Sequence, residues 1–144
     1  MTPKEHLLKI HRLNVLITQR IAERDALRQT GGLKGIEYTG DKVQSSGSGE
    51  APFVRALEKI MQLEEEIDTL IDSYIDLKNQ IIGEIQTVPN LMYMQILYKR
   101  YVEYKRLEAI AVEMNYSYDT IKHAHGRALQ AFEKVCPALK DDTP

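Results

Sequence analysis

Apolar residues recur at helical spacing through most of this chain. In residues 3–29 they lie three or four positions apart, and Pro3 stands where the first turn of a helix accepts proline. The run ends at two consecutive glycines, and residues 30–51 hold six of the chain's eight glycines, which predicts a loop. A loop of this length is either a mobile linker or a functional segment, and the sequence leaves both open.

A second periodic run extends from Pro52 to about Gln86 and predicts one long helix. Four of its apolar residues are spaced by seven, as in the seam of a coiled coil; they are Ile60, Ile67, Tyr74 and Ile81. At ~1.5 Å per residue this helix would be roughly 50 Å long, so the first helix could pair with most of it as an antiparallel hairpin. Apolar surface left over on the long helices would promote a homodimer.

Charged residues on the two long helices leave the register of this hairpin open. The first helix carries a basic stripe at Arg20, Arg24 and Arg28, and the second has an acidic side over residues 64–76. Pairing across the hairpin would set its register, at ~0.2–1 kcal/mol for each exposed pair. The alternatives are two solvated faces, or an acidic face that binds a basic surface on a partner protein.

Pro89 interrupts the pattern again and predicts the end of the second helix. A third helix is expected over residues 90–104, with two more helices in the last third of the chain. The predicted fold is therefore all-α, with a long helical hairpin or coiled coil over residues 1–88, a three-helix head over residues 89–136 and a tail over residues 137–144.

The stretch from Leu107 to Leu129 has the spacing of a helix-turn-helix. Five residues fall where two steeply crossing helices would share a small core: Ile110, Met114, Tyr116, Ile121 and Ala124. Ala111 is small enough to let the helices approach. Asn115 stands in the turn, where a positive φ is expected and Asn tolerates it, and Ser117 is a good N-cap. Together these residues predict a second helix that can enter a DNA major groove.

Polar residues of that second helix lie off its apolar stripe and are the candidate DNA contacts. Short polar groups near a helix N-terminus suit base edges and phosphates. The candidates on this helix are Ser117, Tyr118, Asp119, Thr120, Lys122, His123 and Arg127. Lys105 and Arg106, in the connection before the motif, are candidates for phosphate contacts. The alternative is an ordinary pair of bundle helices with a solvated polar face.

Residues 98–129 resemble region four of bacterial sigma factors, the domain that reads the upstream promoter element. The similarity begins with the RY-x-E sequence, runs through LEAIA and ends at GRAL. It implies a helix-turn-helix that binds promoter DNA, in which Asp119 and Lys122 keep the character of the family. Tyr118 and Thr120 stand where Arg is usual in primary sigma factors, so the standard promoter sequence is not implied.

The whole chain is also similar to small sigma-like proteins from prophages of Gram-positive bacteria. The shared features are an N-terminal helix, a loop reading DKVQSSGS (Asp41 to Ser48), a long acidic helix and the sigma-like C-terminal part. This resemblance implies a sequence-specific DNA-binding transcription regulator that acts on double-stranded DNA with host RNA polymerase. A cytoplasmic location is the default expectation, because the N-terminal sequence does not have the pattern of a signal peptide. A complete sigma factor is not expected, because the N-terminal part lacks an aromatic-rich surface for melted promoter bases.

Two other functions stay open at this point. Packaging subunits of the small-terminase type also join a helix-turn-helix to oligomerising helices. A polymerase-binding adaptor would use the same head without touching DNA.

Charge distribution predicts modest DNA affinity. The chain has 144 residues and a net charge of −2. Residues 90–136 carry seven Lys or Arg and five Asp or Glu, a net +2, whereas residues 1–89 carry eleven and fourteen, a net −3. So few cations favour a dimer or a partner already on DNA. No apolar run approaches the roughly 18 residues of a membrane span, so no membrane association is expected.

No pattern typical of a catalytic, cofactor or metal site is present. The chain has no Gly-rich phosphate loop, no paired-Cys zinc spacing and no nucleophile elbow. His123 and His125 are two apart on a helix and point to different sides; His123 should face DNA or solvent, and His125 should pack on the head. Cys136 has no cysteine partner and is expected to be incidental. Neither an enzyme activity nor a cofactor nor a metal is predicted.

Overall fold

The computed structural model of this chain describes residues 1–30 and 50–140, and every regular element in these ranges is a helix. The elements are α1 (Pro3–Leu7), α2 (Lys9–Thr30), α3 (Glu50–Ile85), α4 (Leu91–Leu97), a π-helical turn (Tyr98–Val102), α5 (Leu107–Met114), α6 (Tyr118–Val135) and α7 (Pro137–Lys140). The all-α prediction is confirmed over the described residues. Residues 31–49 of the predicted loop, including DKVQSSGS, lie outside them.

The chain divides into two compact units. The first contains residues 1–13 and the chain from Tyr74 onward, and the second contains residues 14–73. The sequence suggested a boundary near residue 88. In the first unit, however, Ile81 and Ile85 of α3 share one core with Phe132 of α6. None of the helices in the described ranges has both the length and the hydrophobicity that crossing a bilayer requires.

The first periodic run forms two helices instead of one. Thr2 caps α1: its side chain accepts a hydrogen bond from the Glu5 N–H at 3.1 Å, and the Glu5 carboxylate accepts one from the Thr2 N–H at 3.1 Å. This is the reciprocal arrangement of a capping box, and Pro3 opens the helix as predicted. The single helix predicted over residues 3–29 was wrong at Leu8, whose ψ of −8° departs from the helical value of about −42°.

In the second unit, the buried side chains of α3 follow a regular seam. They are spaced by four, three and four positions: Ala56, Ile60, Leu63 and Ile67. This is the spacing of alternating a and d positions in a coiled coil. Ile60 and Ile67 were predicted from the sequence, whereas Leu63, which is fully buried, was not singled out.

Ion pairs in the second unit join part of the basic stripe on α2 to the acidic side of α3. Arg20 Nε lies 3.5 Å from Glu66 Oε2, and Arg28 pairs with Glu64. Arg24 instead bonds to its neighbour Asp25. Pairing between the helices therefore occurs at two of the three arginines of the stripe.

In the first unit, the predicted third helix is shorter and differently wound than expected. Asn90 caps α4, because its side chain accepts a hydrogen bond from the Tyr93 N–H at 3.1 Å. The following π-helical turn is closed by a bond from the Glu103 N–H to the Tyr98 carbonyl at 3.1 Å. The helix predicted over residues 90–104 is therefore present as far as Val102, but its last turn is π-helical, and the prediction was wrong at Glu103 and Tyr104. The wider π turn buries the adjacent Tyr101 and Val102 together.

The chain then leaves the helical path completely at Tyr104. This residue has a φ of 59°, a left-handed conformation that a right-handed helix cannot contain. The connection to α5 begins at this point.

Two hydrophobic clusters form the core of the first unit. The long-range cluster contains Leu7, Ile10, Ile81, Ile85, Val88, Leu97, Tyr101, Val102, Ala128, Phe132, Cys136 and Leu139. The local cluster contains Ile96, Ile110, Ala111, Ile121 and Ala124. The first includes Leu139 of α7, so part of the segment expected to be a tail is helical and buried.

Most of the predicted core between α5 and α6 is found, with one error. Ile110, Ile121 and Ala124 are buried, and Met114 is half-buried. Tyr116 was predicted to be buried and is 47% exposed. The space predicted for the Tyr116 side chain in this core is filled by Ile96 of α4, which is fully buried.

Candidate nucleic-acid interface

A tight turn sets the direction of α6 relative to α5. Asn115 ends α5 with φ 61° and ψ 43°, the left-handed conformation predicted for this position. The Tyr116 N–H reaches back to the Ala111 carbonyl at 3.0 Å, which satisfies a carbonyl that the end of the helix would otherwise leave free. The turn is therefore specified by one residue that tolerates a positive φ.

Ser117 caps α6 as the sequence predicts. Its hydroxyl accepts a hydrogen bond from the Thr120 N–H at 3.1 Å and lies 2.8 Å from the Thr120 hydroxyl. Both side chains are solvent-exposed. The first turn of α6 thus presents two hydroxyl groups whose positions are fixed by the cap.

The structure exposes every candidate contact on α6. Solvent-exposed residues of this helix and its cap include Ser117, Tyr118, Asp119, Thr120, Lys122, His123 and Arg127. Within the described ranges, neither Lys122 nor Arg127 has an ion-pair partner. The two cations are thus available to a ligand.

His123 is exposed and has a defined orientation. Its Nδ1 lies 2.8 Å from the Asp119 carbonyl oxygen, so this nitrogen carries the proton and donates. Nε2 is then the nitrogen left to accept a hydrogen bond from a ligand. The prediction that His123 faces solvent or DNA is consistent with its exposure.

Lys105 and Arg106 differ in their surroundings. Lys105 Nζ lies 2.7 Å from Glu113 Oε2 and 3.3 Å from Glu103 Oε1. The hydrogen bond with Glu113 raises the pKa of Lys105, and the bonds from Lys105 and Lys99 lower the pKa of the Glu113 carboxyl. A phosphate contact at Lys105 would compete with these carboxylates, whereas Arg106 is exposed at the start of α5.

His125 lies on the inner side of α6, as expected from its spacing to His123. Its Nε2 is 2.8 Å from the hydroxyl of Tyr101. Burial lowers the pKa of His125, and the charges of Arg100 and Lys4 lower it further. Burial also raises the pKa of Tyr101 to about 12. At neutral pH the phenol therefore keeps its proton and donates to an uncharged imidazole.

Three apolar side chains are exposed in the last turn of α5, in the turn after it and at the start of α6. Val112 of α5 is 77% exposed, and Tyr116 and Tyr118 on either side of the cap are also exposed. Single exposed apolar residues are common on protein surfaces. Three within seven positions of the chain form a surface that can contact the apolar part of a ligand.

One group of side chains was missed by reasoning from the sequence. His6, Glu84 and Cys136 converge in the first unit, with His6 Nε2 2.7 Å from Glu84 Oε1. Burial raises the pKa of the Cys136 thiol, and the charge of Glu84 contributes in the same direction. Residue spacing along the chain does not predict this group, because its three members lie in three distant segments.

The chain was compared with known proteins in three ways. Comparison of the chain with models of protein families, with curated proteins and with solved structures finds no significant match.

Proposed function

We propose that this protein is a sequence-specific DNA-binding transcription regulator of phage type, resembling sigma factor region four, whose α6 enters the DNA major groove. The observation that carries the proposal is the solvent-exposed polar face of α6 directly after the left-handed turn at Asn115. In a helix-turn-helix, the N-terminal residues of the second helix contact base edges. Here those residues are Tyr118, Asp119 and Thr120, followed by Lys122 and His123.

Packing beneath the turn supports a rigid head of three helices. Ile96 of α4, Ile110 of α5 and Ile121 of α6 are all fully buried in the local cluster. Such a core holds the angles between the three helices fixed. Binding through α6 therefore loses little conformational entropy. This rigidity is a property that base recognition requires.

The charges available for DNA are few. Lys122, Arg127 and Arg106 are exposed cations, Asp119 opposes them, and Lys105 is engaged by Glu113 and Glu103. The logarithm of the binding constant falls linearly with the logarithm of the salt concentration. Each phosphate that the protein neutralises makes this slope steeper by about 0.9. We therefore expect weak binding by one chain, with a salt dependence that corresponds to two or three phosphates.

A partner protein would compensate for this weak binding. Val112, Tyr116 and Tyr118 are exposed and supply apolar area for a contact with host RNA polymerase. The same observation favours a second candidate function, a polymerase-binding adaptor that does not touch DNA. Salt-dependent binding to DNA separates the two.

Dimerisation through the long helices would also raise affinity. The ion pairs Arg20–Glu66 and Arg28–Glu64 support an antiparallel hairpin of α2 and α3 in the second unit. Val54, Leu57 and Met61 of α3 are exposed apolar residues that a second chain could cover. Light scattering of the full chain checks this directly: a mass of one chain excludes the dimer, and a ring of many chains would favour a packaging subunit instead.

The test is DNA binding by the full chain and by two variants. Fluorescence anisotropy with a short labelled duplex of mixed sequence is recorded over a series of salt concentrations. Lys122→Ala and Arg127→Ala should each weaken binding by about 1 kcal/mol, roughly fivefold, and reduce the salt dependence by about one phosphate. Circular dichroism should show unchanged helix content, because both side chains are exposed.

Matched controls remove the same charges from α3. Lys59→Ala and Arg55→Ala alter exposed residues of the second unit and should leave affinity unchanged. Equal affinity of all four variants would remove the assignment of the site to α6. Absence of any salt-dependent binding by the unaltered chain would favour the adaptor.

A further inference from the structure

Three side chains with metal-binding atoms meet inside the first unit. His6 comes from α1, Glu84 from the last turn of α3, and Cys136 from the junction of α6 and α7. The imidazole nitrogen, the carboxylate oxygen and the sulfur all lie within 4.8 Å of one another. His6 is 2% exposed and Cys136 is fully buried, and the Glu84 side chain is 14% exposed. The group is therefore enclosed by the protein.

The spacing of these atoms is close to that of a tetrahedral metal site. Zinc binds nitrogen and oxygen at about 2.0–2.2 Å and sulfur at about 2.3 Å, which places its ligand atoms roughly 3.3–3.8 Å apart. His6 Nε2 and Glu84 Oε1 are 2.7 Å apart, and no pair of the three exceeds 4.8 Å. Side-chain movements of about one ångström would bring all three to bonding distance.

The types of ligand select the class of metal. Thiolate and imidazole are preferred by zinc and its neighbours in the transition series, whereas magnesium and calcium take oxygen ligands. A neutral imidazole, a thiolate and a carboxylate together carry two negative charges, which neutralise a divalent cation. A neutral complex is the form in which a charged group can be buried without a large desolvation cost.

Surrounding groups hold two of the three side chains in position. The Gln80 amide donates to Glu84 Oε2 at 3.2 Å, which leaves Oε1 directed at His6. The backbone N–H groups of Ala138 and Leu139 face the Cys136 thiol and act against the rise in its pKa. Such outer contacts orient metal ligands in known sites.

We propose that His6, Glu84 and Cys136 form a binding site for a zinc ion, with water as the fourth ligand. On binding, the thiol of Cys136 releases its proton to solvent and the sulfur bonds to the metal as a thiolate. The ion would join α1, α3 and the α6–α7 junction, so its role is to stabilise the first unit. The site does not depend on whether the protein binds DNA.

The experiment uses the full chain, without an affinity tag, after treatment with a chelator. Cobalt(II) is added as a spectroscopic substitute for zinc. We expect one cobalt per chain, with visible absorption typical of four ligands and a thiolate-to-cobalt charge-transfer band. Added zinc should displace the cobalt and abolish both signals. Zinc should also raise the thermal midpoint of unfolding, because it binds the folded chain only.

Variants assign the ligands. Cys136→Ser should abolish the charge-transfer band, and Glu84→Gln should weaken zinc affinity at least tenfold while keeping a side chain that can bond to His6. His11→Ala, which removes an exposed histidine of the same unit, is the matched control and should bind zinc as the unaltered chain does. If Cys136→Ser does not fold, Cys136→Ala tests the same ligand.

The proposal is overturned by either of two results. One is the absence of a charge-transfer band in the unaltered chain at excess cobalt, together with a thermal midpoint that zinc does not move. The group would then be a buried histidine–glutamate hydrogen bond with a neighbouring thiol. The other is undiminished zinc affinity in both Cys136 variants.

Discussion

The two hydrophobic clusters of the first unit differ in how far apart along the chain their members lie. All buried residues of the local cluster fall between Ile96 and Ala124, within three consecutive helices. The long-range cluster extends from Leu7 to Leu139 and needs α1, α3, α6 and α7 at once. One cluster can form from neighbouring helices, whereas the other requires distant segments to meet.

The two clusters therefore have different roles in the first unit. The local cluster fixes the angle between α5 and α6, and so it sets the surface that we propose for DNA. The long-range cluster holds the ends of the described chain together around Phe132. Since α6 carries Ile121 in one cluster and Phe132 in the other, this helix couples them.

The largest effect is expected from truncating Phe132, the largest fully buried side chain of the long-range cluster. Phe132 is fully buried, and truncation of a buried Phe to Ala costs about 3–5 kcal/mol. Phe132→Ala should lower the free energy of unfolding by this amount, measured by urea titration with circular dichroism. Val112→Ala, at a residue that is 77% exposed, is the control and should change it by less than about 0.5 kcal/mol.

If Phe132→Ala lowers the free energy of unfolding by less than about 1 kcal/mol, the burial of Phe132 does not contribute to stability as expected. A second transition that Phe132→Ala leaves unchanged would be assigned to a part of the chain other than the long-range cluster, such as the second unit or the local cluster.

A smaller effect is expected from the turn above the local cluster. Asn115 has a left-handed backbone, which costs an ordinary L-residue about 1–2 kcal/mol. Asn115→Ala should therefore destabilise the chain by about 1 kcal/mol, and Asn115→Gly should cost less because glycine adopts this conformation freely. Urea titration of the two variants compares their free energies of unfolding, and the difference between them reports the cost of the left-handed backbone. Equal losses of stability in the two variants would refute the argument.

The pH dependence of stability gives the smallest and most specific signal. The pKa of His125 is lowered by burial in the folded chain. As pH falls below about 6.5, the unfolded chain takes up this proton before the folded chain does, so stability falls. Above that pH both states are neutral at this site and the contribution is fully present.

The urea midpoint should therefore decrease with acidification, and the decrease should be smaller in His125→Gln. Because His125 bonds to Tyr101 of the long-range cluster, this measurement reports on that cluster. An identical pH profile in the variant would assign the dependence to other groups.

Local features were predictable from the sequence because their causes lie within a few residues. Asn115 and Ser117 specify the turn and the cap of α6, and both predictions are confirmed. The π-helical turn was not predictable, since its hydrogen bond depends on burying Tyr101 and Val102 against distant residues. Tyr116 was misplaced for a related reason: its spacing suits a two-helix core, but Ile96 of α4 fills that core.

The candidate sites divide in the same way. Exposure of Lys122, His123 and Arg127 follows from the period of one helix, so the sequence could predict it. The meeting of His6, Glu84 and Cys136 depends on the packing of α1, α3 and the α6–α7 junction. Nothing in the order of residues indicates which of the chain's four histidines lies beside its single cysteine.

The span of the long-range cluster has a consequence for the newly made chain. Leu7 and Ile10 cannot reach their final partners until Phe132 has been synthesised, which at about 5–20 residues per second takes roughly 6–25 s. During that time their apolar surface lacks part of its cover, whereas the local cluster needs no residue made before Ile96. The first helix therefore lacks its full apolar cover until α6, the helix proposed to bind DNA, has itself been synthesised.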